Sequence, residues 1–135
     1  MEKTTVFENG CATMVYYPEV KVVHNTFRGQ PTSEQFRSAL DAGVETMKKY
    51  GGSKWVSDDR ENPSVYSAED RAWADHDWFP RMLTVGWKTW AMVVPLEVKA
   101  QINMIEIIDK IYERGIRVRV LSKLDEALEW LFKAE

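Results

Sequence analysis

The sequence predicts one mixed α/β domain spanning residues 1–135, a β-sheet covered by helices in the order β-β-β-α-β-α-β-α-β-α. Three observations predict it. The first 28 residues hold three β-prone runs parted by tight turns, which implies an antiparallel start to the sheet. From Thr32 onward, segments with helical spacing alternate with short β-rich runs, the pattern of crossovers between parallel strands. The chain has 135 residues, 44% hydrophobic and 29% charged, which suits one core; no repeat, low-complexity stretch or linker divides it.

The first run is Thr4-Thr5-Val6-Phe7-Glu8. Asn9-Gly10 follows, the strongest two-residue hairpin signal. Residues 11–17 return, favoured by Thr13, Val15, Tyr16 and Tyr17, and Pro18-Glu19 turns the chain again. Residues 20–27 make a third strand that ends at Arg28-Gly29. Thr32-Ser33-Glu34-Gln35 then reads as a capping box, with the Thr32 hydroxyl accepting an amide and Gln35 reaching back. Phe36, Leu40, Val44 and Met47 recur on one helical face, and Gly51-Gly52 ends the helix.

Residues 54–58 form a fourth strand, parallel to the third because a helix joins them. Ser67 opens the next helix, with Asp70 three residues on as a partial capping box, and Pro80 is expected to end or kink it. Residues 88–94 make a fifth strand; Ala91-Met92-Val93-Val94 lacks alternation, as expected of a strand covered on both faces. The longest helix is expected over residues 97–114, broken by Gly115. Ile116-Arg117-Val118-Arg119-Val120 alternates apolar and basic, so it is expected near a sheet edge. Ser122-Lys123-Leu124-Asp125 is expected to cap a last helix with an inner stripe of Leu124, Ala127, Leu128 and Leu131.

Composition excludes several functions. A net charge of −3 argues against general nucleic-acid binding, which needs clustered Lys and Arg. No apolar run approaches the roughly 20 residues of a membrane-spanning helix. Residues 1–5 lead into no apolar core of signal-peptide length, and Cys11 is the only cysteine, so a reducing, cytoplasmic location is the expectation.

Several local signatures, in their order along the chain, resemble the SpoIIAA-like proteins of the STAS superfamily, especially the stand-alone bacterial group. They are Asp58-Asp59-Arg60 at a strand end, Ser67-Ala68-Glu69-Asp70 with Trp73 opening the second helix, Trp78-Phe79-Pro80, Ala91-Met92-Val93-Val94-Pro95, and residues 125–131 near the C-terminus. The resemblance implies one sheet with helices mostly on one side, acting through protein contacts, in some members with nucleotide binding. It places Ser67 nearest the phosphorylated Ser or Thr of the switching members. Here Glu69 and Asp70 adjoin that hydroxyl and would repel a phosphate, so no retained switch is expected.

Asp58, Asp59 and Arg60 lie at the carboxyl end of a parallel strand, where open α/β sheets place ligand sites. Together with Ser67 they form the candidate regulatory or ligand site. The alternative is an acidic turn paired with basic neighbours such as Arg71. Trp73, Trp78, Phe79 and Trp87 flank Pro80 and are too many for a short helix to bury, so part of the group is a candidate for a contact surface or a pocket wall; the alternative is a loop packed onto the domain by its own aromatics. Trp55 and Trp90 are expected in the core. Asp75-His76-Asp77 is not expected to bind a metal, because consecutive helical residues diverge by about 100°. The apolar residues between Val98 and Tyr112 cover roughly 220° of a helix circumference, wider than an ordinary buried stripe. The expectation is a non-catalytic domain without cofactor or metal, acting by contact with another protein or with a second copy of itself as a homodimer. A carrier of a small apolar ligand or lipid, with a pocket near residues 73–87, is the alternative; a third reading is an enzyme with Asp58 or Asp59 as base, which needs that carboxylate buried beside a ligand-sized pocket.

Overall fold

Asn9 closes the first hairpin with its side chain. Its Oδ1 accepts the backbone N–H groups of Cys11 and Ala12, both at 2.8 Å, so the turn takes three residues instead of the expected two. Gly10 is not among the glycines with positive φ, which a two-residue Asn-Gly turn requires. In the computed structural model, which describes residues 1–62, 66–101 and 111–134, β1 (Thr4–Glu8), β2 (Ala12–Tyr17) and β3 (Val22–Arg28) form an antiparallel meander. β4 (Lys54–Glu61), β5 (Thr89–Val93) and β6 (Arg117–Leu121) extend it in parallel, so the spatial order of the six strands equals their order in the chain. β6 is an edge strand, as its alternation predicts.

Helix α1 (Ser33–Tyr50) has the expected capping box: Thr32 Oγ1 accepts from Gln35 N at 3.1 Å, and Gln35 Oε1 accepts from Thr32 N at 2.9 Å. Gly51, at φ 68°, ends it in the left-handed conformation. Phe36, Leu40, Val44 and Met47 are buried against the sheet, on a layer that includes Met14, Val23, Phe27 and Trp55. Gly43 is what lets α1 lie on that layer: a Cβ there would come 2.5 Å from the Trp55 ring.

Between β4 and β5 come α2 (Ala68–Trp73), a π-helical turn (Ala74–Trp78) and α3 (Phe79–Thr84). Pro80 neither ends nor sharply interrupts this run. The Phe79 N–H reaches back five residues to the Ala74 carbonyl, and the widened turn admits the proline ring at the start of α3.

Helix α4 (Leu96–Gln101) follows β5. The expected helix over residues 97–114 falls largely on 102–110, outside the described residues, and so does most of its wide apolar arc. The last helix, α5 (Leu124–Lys133), starts with Lys123 at the capping position and no side-chain cap, so Ser122 does not cap it. α5 packs Ala127 and Leu131 on the opposite sheet face, against Val22, Val56, Ala91 and Val93.

Candidate functional site

The two sheet faces divide residues that the sequence places side by side. Asp58 and Asp59 belong to strand β4, not to a turn, and they point to opposite sides because strand side chains alternate. Asp58 is buried with α5's face of the sheet. Its carboxylate takes a two-pronged bond from Arg60, Nε to Oδ1 and Nη2 to Oδ2, each at 2.9 Å. Its partner is thus Arg60 and not Arg71. Asp59 joins Trp55 and Ser57 on the α1 face. The expected cluster of Asp58, Asp59, Arg60 and Ser67 therefore does not form one pocket. Ser67 is exposed and caps α2, its Oγ accepting the Asp70 N–H at 3.0 Å. Asp70 is buried and turned away to α1, where it accepts Ser33 Oγ at 2.6 Å and Arg37 Nε at 3.0 Å. Those bonds, the Ser33 one foremost, hold its carboxyl below the usual range.

The π turn buries more aromatic surface than a regular short helix would. Trp78, Phe79 and Trp87 are 6%, 5% and 2% exposed, which excludes them as a surface contact. Trp78 donates its Nε1 proton to the Leu40 carbonyl at 2.7 Å. Its ring meets Trp55 at 5.9 Å and Trp87 at 5.5 Å, and Trp87 meets Trp90 at 5.3 Å. Trp73 alone stays half-exposed, with the Arg37 guanidinium 5.1 Å above it. Trp90 is not plain core: it is half-buried, and its Nε1 donates to Ser57 Oγ at 2.8 Å.

These elements enclose a cavity of about 380 Å³ toward the carboxyl ends of β3 and β4. Asn25, Ser57 and Asp59 come from the sheet. Phe36 and Leu40 come from α1, and Trp78 and Phe79 from the elbow around the π turn. Exposed Arg71 and Asp75 mark its opening, with Ile111 and Arg114 across from them. Arg114 is already engaged: it donates to Asp75 Oδ1 at 2.6 Å and lies 3.8 Å from the Phe79 ring centroid. Trp73 and Trp87 do not line the cavity, so two of the four flagged aromatics belong to it.

Burial pushes the Asp59 carboxyl up to about 6; the amide of Asn62 at 3.4 Å opposes the shift, and the charge of Asp58 adds to it. Such a group exchanges its proton near neutral pH, the property a general base needs. Tyr66, stacked on Phe36 at 4.3 Å, is pushed up to about 12 by burial, so it stays protonated. Asn25 is 1% exposed, and neither its Nδ2 nor its Oδ1 has a hydrogen-bond partner among the described residues.

Asn25, Ser57 and Tyr66 were not singled out by sequence. One signal was there for Asn25. It shares the inward phase of β3 with Val23 and Phe27, so an amide at that position must face the core. Asp75 and Asp77 turn to Arg114 and Arg81, and among the described residues no group of His, Cys, Asp and Glu is placed to hold a metal ion. Compared with protein-family models, curated proteins and solved structures, the chain matches none.

Proposed function

We propose that this is a non-catalytic binding domain of the SpoIIAA-like kind that holds a small, largely apolar ligand in the cavity under the π-helical elbow. One observation carries the reading: an aromatic-walled space of about 380 Å³, within the usual size of ligand pockets, into which a few polar groups converge. Binding is favoured over catalysis because the groups beside Asp59 are committed. Ser57 holds Trp90, and Tyr66 keeps its proton.

The neutral fluorescent probe N-phenyl-1-naphthylamine tests it. We expect saturable one-to-one binding that quenches the cavity tryptophans, lost in Ala74→Phe, which fills the space from the half-buried Ala74. Native mass spectrometry of freshly purified protein is expected to show a bound small molecule. No quenching and no bound mass would sink the reading, as would undiminished binding to Ala74→Phe.

A second reading, action through protein contact or as a homodimer, is favoured by the exposure of Leu96 and Tyr112, at 68% and 70%. Sedimentation of the wild type and of Leu96→Glu with Tyr112→Glu tests it. A monomer at every concentration would remove the homodimer.

A further inference from the structure

We infer that the cavity's natural ligand carries a protonated nitrogen, an amine or amidine, on a flat apolar body, and that this nitrogen seats between the Asp59 carboxylate and the Asn25 amide. The inference rests on the binding reading above and names the ligand's chemistry.

Three features of the geometry point to it. First, Asp59 is an anion on an apolar wall, and among the described residues no Lys or Arg pairs with it; every ion pair there joins other carboxylates. A desolvated charge that meets no cation is costly even with the Asn62 amide at 3.4 Å, and a cationic ligand would remove that cost. Second, Asn25 sits on the neighbouring strand, in register with Ser57 two residues before Asp59. Its unpartnered Oδ1 can accept a second N–H from the same nitrogen, and its Nδ2 can donate to an oxygen or ring nitrogen of the ligand. A fully buried amide with both atoms unmatched is rare enough to require an explanation, and a bound polar group supplies one. Third, the walls are aromatic faces, which attract cations through their quadrupoles and accept flat rings by stacking.

An anionic ligand fits less well. The cations bordering the cavity are Arg71 and Arg114, which lie by its opening. Arg114 is neutralised by Asp75. An anion's tail would press on Asn25 and Asp59 and leave both unmatched. Among the described residues, the charged and titratable groups that share the cavity with Asp59 are Tyr66, Arg71, Asp75 and Arg114; the cavity residues from α1 are apolar. Asp58, Arg60 and His24 act from the far face of the sheet.

Three probes with one aromatic body test the inference: 2-(1-naphthyl)ethylamine, 2-(1-naphthyl)ethanol and 1-naphthylacetate, read by tryptophan quenching. At pH 7.5 we expect the amine to bind about tenfold or more tighter than the alcohol, the scale of one charge-assisted hydrogen bond. The acetate should bind weakest. Asp59→Asn should bring the amine down to the level that the alcohol reaches in the same variant. Lowering the pH from 7.5 to 5 protonates Asp59 and should weaken only the amine. Alcohol or acetate binding as tightly as the amine would overturn the inference while leaving the binding domain intact; so would an amine preference that survives Asp59→Asn. Failure of all three probes would remove the binding reading as well.

Discussion

The two faces of one sheet treat polar residues differently. On the face covered by α5, the buried polar groups are matched within the protein: Asp58 by Arg60, Lys54 by the Ala134 carbonyl, His24 by Thr26. Between them Val22, Val56, Ala91 and Val93 pack with Leu131 in one buried cluster. On the face covered by α1 and the elbow, Asn25 is unmatched and Asp59 meets no cation among the described residues, and about 380 Å³ stands open. Neighbours in sequence thus serve opposite ends. Asp58 is paired within the fold, whereas Asp59 and Asn25, on the proposed reading, trade stability for ligand binding.

The largest test of that contrast is on the filled face. Leu131→Ala should cost about 2–5 kcal/mol in urea unfolding, because Leu131 is fully buried where neighbours cannot easily collapse. A loss well below about 1 kcal/mol would erase the distinction between the faces. Next, Asn25→Leu should raise stability by about 1–3 kcal/mol, since it removes a buried amide that no described residue satisfies. A loss of stability instead would mean that the amide is matched in the folded chain.

The paired carboxylates should then respond with opposite signs. Asp58→Asn should cost about 1–2 kcal/mol, moderated because Arg60 is 41% exposed and can return to water. Asp59→Asn should gain about 1–3 kcal/mol at pH 7.5, its partial exposure allowed for. The pH dependence fixes the cause. Asp59 titrates near 6 when folded against an ordinary 3.8, so the folded chain holds its proton more tightly. Its contribution is present below about pH 4 and lost as pH rises through 6. Wild-type stability should therefore fall relative to Asp59→Asn between pH 4 and pH 7.5. Equal slopes for the two proteins would place Asp59 in water. The smallest effect is expected at Ser67→Ala, about 0.5–1 kcal/mol, for loss of one helix cap at an exposed site.

Much of the fold was legible in the chain because its signals are local. The capping box at Thr32, the apolar stripe of α1 and the alternation of β6 are each read within one element. The site was less legible because it is assembled from alternation and from a change of helical pitch. Reading Asp58-Asp59-Arg60 as a turn put three side chains in one place; as a strand they separate across the sheet. Reading Pro80 as a stop or kink left open whether the aromatics around it lie on the surface or pack the loop onto the domain; across the π turn Trp78 and Phe79 are buried. Asn25 had no motif, and only its phase between Val23 and Phe27 marked it.

Strand order has a consequence for how the nascent chain gains its properties. Each new strand adds beside the one just made, so the sheet can grow from β1 to β6 as synthesis proceeds, without waiting for distant partners. The cavity cannot be built that way. Its lining runs from Asn25 to Arg114, and it closes only after most of the chain has emerged. A ribosome-bound chain cut before residue 111 would already carry five strands, yet lack one wall of the cavity.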